Sequence, residues 1–124
     1  MSNEIVIQSS VKAENGNFAI GKIGGFNQQI DQAAPGGEVL NITATTVGVD
    51  VDMSNLTTEG ICRLLNVDET NFVEWGPKSG GTFYPLGKMK PGEPAGPFRL
   101  SPGKTLHLKA DSASCLVQAV VLED

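Results

Sequence analysis

The sequence predicts an all-β protein, an antiparallel β-sandwich of jelly-roll character with about eight to ten short strands. Three observations carry that prediction. Apolar and polar residues alternate with period two in several runs, glycine and proline punctuate those runs every few residues, and no long segment sustains a helical period. At 124 residues the chain has the length of one domain with its own core, so a single sandwich over residues 1–124 is expected.

The elements follow in order. "EIVIQSSV" and "NFAIGKI" flank "ENGN" at 14–17, where the Asn15-Gly16 pair suits a type I′ hairpin. After "EVLNITAT", the run "VGVDVDM" sets Val47, Val49, Val51 and Met53 on one face and Asp50 and Asp52 on the other. "SNLTTEGICRLL" offers a helical alternative capped by Ser54 or Asn55, but Gly60 interrupts it and leaves at most a short turn before "GICRLLNV". "NFVEW", "TFYPLGKM" and "GPFRL" continue the β pattern, and "TLHLKA" opposes Leu106, Leu108 and Ala110 to His107 and Lys109. Pro35-Gly36, Pro91-Gly92 and Pro102-Gly103 each put a fixed φ before a residue that tolerates positive φ, which predicts type II turns.

The closing run "CLVQAVVL" differs in kind. Cys115, Val117, Ala119 and Val121 make one face, while Leu116, Val120 and Leu122 make the other with only Gln118 polar among them. A strand apolar on both faces is either central between packed layers or covered on its second face by another subunit. Leu116, Val120 and Leu122 are therefore candidate partner contacts.

Charge narrows the function classes. A net charge of −5 and a pI of about 4.7 disfavour nucleic acid and anionic membrane surfaces as partners, because both draw on clustered Lys and Arg. No apolar run approaches the roughly 20 residues of a bilayer span, and "MSNEIVIQSS" lacks the basic start and apolar stretch of a signal peptide, so Sec export is not expected. Cys62 and Cys115 lie in apolar runs without CxxC spacing, as small core hydrophobes do, and whether they pair stays open.

Motifs that would carry chemistry fail on spacing or context. "GPKSGGT" has its lysine and serine ahead of the glycine pair, and "SPGKT" has Phe98 where a phosphate loop needs its first glycine and a strand where it needs a helix. "DVDMSN" begins like a calcium loop, but its sixth and twelfth positions hold Asn55 and Ile61. His107 is the only histidine and is expected to face solvent. Glu59, Glu69, Glu74 and Glu93 show no spacing that singles out a catalytic pair. No catalytic, cofactor or metal residues are predicted, and the chain is not expected to be an enzyme.

"WGPKSGGTFYP" holds the only Trp and the only Tyr. With "KSGG" as a four-residue loop, Trp75 lies opposite Tyr84 and Val73 opposite Leu86 on one apolar face, and Phe72, Glu74 and Phe83 occupy the other. Trp75 and Tyr84 are then core residues or, if exposed, contacts for a partner or a sugar ring.

From about residue 60 the order of features resembles small virion proteins of tailed bacteriophages. The matching positions are Asn66, Asp68, Asn71, Phe72, Val73, Glu74 and Gly76, then Pro85 to Pro94, then Phe98 to Ala110. The resemblance implies a capsid decoration (cement) protein that binds the major capsid protein or other virion proteins, self-associates as a homotrimer, and resides in the virion after assembly in the host cytoplasm. A small tail or head-to-tail connector component is the alternative, as is a carbohydrate-binding module in host recognition.

Overall fold

The computed structural model describes residues 4–25 and 27–124. Strand is the regular secondary structure throughout, with thirteen short antiparallel strands and no helix among the described residues, which makes the protein all-β and sandwich-like. The chain divides into two compact units, Met1–Ala33 and Ala34–Asp124.

The first unit holds β1 (Ile5–Ile7), β2 (Ser10–Asn15), β3 (Phe18–Gly24) and β4 (Gln28–Ile30), with β1 paired to β4 and β2 to β3. Asn15 pairs with Phe18, so the hairpin turns on Gly16-Asn17, one residue later than Asn15-Gly16. The physical reason is φ: the first central position of a primed turn needs a positive value, and Gly16 takes 58°. A register shift between Val11 and Ala13 places Val11 opposite Ile23 and Ala13 opposite Ile20. Val11, Phe18, Ile20 and Ile23 thereby share one face, and all four are exposed.

The second unit holds β5 (Gly37–Ala44), β6 (Val49–Asp50), β7 (Glu59–Asn66), β8 (Val73–Ser79), β9 (Thr82–Phe83), β10 (Gly87–Met89), β11 (Pro94–Arg99), β12 (Thr105–Ala110) and β13 (Cys115–Glu123). One sheet runs β11-β7-β13-β5; the other runs β10-β8-β12-β6, with β9 also on β8. Alternation points Cys62 and Leu64 of β7 and Cys115, Val117, Ala119 and Val121 of β13 inward. They meet Val73, Met89, Leu106, Leu108 and Ala110 of the second sheet in one buried cluster. Each buried Leu, Val or Met stabilises the sandwich by about 1.5–3 kcal/mol relative to exposure.

Turn chemistry holds at two of the three Pro-Gly pairs. Gly92 and Gly103 take φ of 78° and 80°, and Glu93 and Lys104 donate back to the carbonyls of Lys90 and Ser101. At Pro35-Gly36 the chain instead runs on: the Gly36 carbonyl accepts from the Glu123 N–H and extends the ladder into β5. The alternation over 47–53 is also cut short. A turn closed by hydrogen bonds between Thr45 and Gly48 leaves Val47 88% exposed, and β6 keeps only Val49 and Asp50. Before β7, Leu56 donates to Met53, which is the short turn expected in place of a helix.

Candidate functional site

The aromatic stretch forms a hairpin with a shorter tip than "KSGG". Ser79 pairs with Thr82, so only Gly80 and Gly81 lie in the turn, at φ of 59° and 80° that suit a glycine pair. The ladder then shifts by one more residue before β10, so Trp75 opposes Gly87 rather than Tyr84, and Val73 opposes Met89 rather than Leu86. Gly87 is required there, because a Cβ would come within 2.9 Å of the indole. The indole is half-buried and stacks on Phe98 of the opposite sheet, with ring centroids 5.2 Å apart and planes 18° from parallel. Tyr84 is 55% exposed. The two aromatics therefore have separate surroundings.

Beside the Trp75–Phe98 stack lies an open groove of about 380 Å³ lined by Pro77, Leu86, Leu100 and Leu106, with Arg99 and Lys104 at its rim. Arg99 is paired with the Asp124 carboxylate.

His107 is buried, not solvent-facing. Its Nδ1 lies 2.7 Å from an Asp50 carboxylate oxygen, its ring packs on Phe83 at 4.8 Å, and Lys78 Nζ stands 3.7 Å from the same Asp50 oxygen. The hydrogen bond to His107, reinforced by Lys78, holds the Asp50 carboxyl below its ordinary range. On its other side the ring fills the space at Gly48, where a Cβ would fall 2.2 Å from Nε2. Only a glycine admits the ring, and the absence of a side chain at position 48 is the sequence signal that could have revealed the burial. The ring is thus held between backbone and carboxylate as a structural pin.

Asn66, Asp68 and Asn71, three of the residues in the sequence resemblance, build a turn. Asn66 is fully buried: its Nδ2 donates to the carbonyls of Asn71 and Met89, and its Oδ1 accepts from the Asp68 N–H. Asp68 in turn accepts from the backbone N–H groups of Asn71 and Thr70, which lowers its pKa. The Lys90–Glu93 turn closes on the same residue, Gly92 donating to the Asn66 carbonyl and Asn66 to that of Glu93. Both cysteines are free and buried; burial pushes the Cys62 thiol up to about 12 and raises that of Cys115. Among the described residues no group of His, Cys, Asp and Glu side chains is placed to hold a metal ion. Among the described residues no helix is long and apolar enough to cross a membrane.

The outward face of the β11-β7-β13-β5 sheet brings the remaining candidates together. Strand β13 is central in this sheet, and its register sets Val120 between Val39 and Arg63, Gln118 between Asn41 and Leu65, and Leu116 beside Thr43. Val39 is 63% and Leu116 46% exposed, while Val120, Leu122 and Leu65 are half-buried. Along the outward positions of β5 and β13 no side chain is charged, and Arg63 is the only charge where β7 joins them. The face is uncharged rather than wholly apolar, since Gln118, Asn41 and Thr43 lie among its valines and leucines.

No family model, curated protein or solved structure matches the chain.

Proposed function

We propose that this chain is a structural protein of a bacteriophage particle, of the cement or decoration type, that binds the capsid surface and sibling copies and stabilises the assembly. The observation that carries the reading is the uncharged outward face of β5 and β13, with Val39 and Leu116 open to solvent, on a protein whose net charge is −5. In an acidic chain, a sheet face free of charged side chains is suited to docking. The resemblance from about residue 60 onwards supplies the particle. A tail or connector location would use the same face against a different virion surface, with assembly in the host cytoplasm in either case.

Purified protein added to particles that lack it provides the test. Saturable co-sedimentation with the particles is expected, with a higher particle melting temperature, and Val39→Asp/Leu116→Asp should abolish both. Failure of the unaltered chain to bind such particles would remove the proposal.

A further inference from the structure

Strands β5 and β11 form the two edges of the four-stranded sheet, and they are built differently. In β11, Pro94 and Pro97 lack the N–H groups an added strand would use, and the register shifts between Ala95 and Phe98. In β5 there is no proline and no register shift over eight residues, and Glu38 is the only charge.

The ladder from β5 to β13 fixes which backbone groups face outward. The Glu123 N–H donates to the Gly36 carbonyl, and this pair continues the register in which Gly37 faces Leu122. Hydrogen-bonded pairs alternate along an antiparallel ladder, so the even-numbered residues of β5 turn their N–H and C=O toward β13. Gly37, Val39, Asn41 and Thr43 turn theirs to the open edge. Thr45 fits the same phase: its carbonyl points away from β13 and accepts from Gly48 and Ala110. Leu40 and Ile42 pack against the core yet stay half-buried, as expected beside an edge with no neighbouring strand.

We infer that the open edge of β5 pairs with β5 of a second copy, antiparallel about a twofold axis at Asn41; this deepens the self-association proposed above and rests on it. For outward backbone groups to meet, odd residues must oppose odd residues, and two registers come nearest to centring the strand on itself. In one, Asn41 opposes Asn41 of the second copy, Val39 opposes Thr43, Leu40 opposes Ile42 and Glu38 opposes Ala44. In the other, Leu40 opposes itself and Glu38 faces Ile42. The first register covers both half-buried core residues with apolar partners and keeps the carboxylate away from Ile42. It also joins two four-stranded sheets into one, doubling the outward face that includes Val39 and Leu116. The pairing is isologous, as a twofold contact between identical edges must be.

Sedimentation velocity on the full chain, combined with cysteine cross-linking, tests the pairing. In the inferred register the two Asn41 Cα atoms lie about 5.5 Å apart, within disulfide reach, whereas the two Val39 positions are four residues apart along the strand, about 13 Å. Asn41→Cys should form a disulfide dimer under mild oxidation, and Val39→Cys should not; Cys62 and Cys115 are buried, so the unaltered chain is the control. Asn41→Pro removes a donor that the chain itself leaves unused and should give a monomer with its β circular dichroism retained. If that variant does not fold, the cross-linking result decides alone. A dimer with Asn41→Cys cross-linking supports the inference. A trimer, or any oligomer in which Asn41→Cys fails to cross-link, overturns the edge pairing and leaves self-association standing. A monomer at every concentration removes both.

Discussion

The two faces of β13 are almost equally apolar, but they have different surroundings. Cys115, Val117, Ala119 and Val121 are fully buried against the opposite sheet, while Leu116 keeps 46% of its surface in water and Val120 and Leu122 are only partly covered. The inward face is explained by folding alone, since it supplies the centre of the core. Folding does not explain the outward one. Selecting valine and leucine for a solvent-facing strand, where threonine or lysine would serve, costs solubility unless something covers them.

Substitutions on the two sides should therefore separate stability from docking. The largest loss of stability is expected inside: Leu64→Ala, at a fully buried site across from Ala119, should cost about 2–5 kcal/mol by chemical denaturation. Asn66→Ala follows at about 1–3 kcal/mol, because it leaves the carbonyls of Asn71 and Met89 and the Asp68 N–H without their partner. Outside, Leu116→Asp should shift stability by no more than about 0.5 kcal/mol while weakening binding to the particle. Equal stability losses for Leu64→Ala and Leu116→Asp would erase the distinction between the faces.

Acid should act through the turn that Asp68 caps, with a smaller effect. Its folded pKa is lowered, chiefly by the N–H groups of Asn71 and Thr70, so its contribution is complete above the unfolded carboxylate value and lost as pH falls through the folded one. The melting temperatures of the unaltered chain and Asp68→Ala should accordingly differ at neutral pH and converge below about pH 4. A difference that persists undiminished to about pH 2 would contradict the capping role.

Much of the fold was legible in the residues because its causes are local. Alternation marked β12, apolar runs marked β7 and β13, and the Pro91-Gly92 and Pro102-Gly103 pairs specified their turns through φ alone. What was not legible depends on neighbours distant in sequence. Phe98 meets Trp75 because two sheets pack together, and nothing in "WGPKSGGTFYP" encodes that distance of 5.2 Å. His107 sits on the polar side of an alternating strand, yet it is buried because Gly48 leaves it room and Asp50 supplies a partner 57 residues away. A lysine and a serine look like loop residues and suggest a four-residue tip, whereas the ladder continues through Lys78 and Ser79. Of the candidate contacts, Leu116, Val120 and Leu122 share one outward face, and Trp75 and Tyr84 lie apart from it on or next to the other sheet.

The account stands most directly on whether the outward face docks on the particle. Co-sedimentation with particles that lack the protein should be measured for the unaltered chain and for Val39→Asp/Leu116→Asp across a micromolar concentration series. The account predicts saturable binding for the first and none for the second, with the β circular dichroism of the second retained. An unaltered chain that does not bind, or a double variant that binds as tightly as the parent, would contradict it.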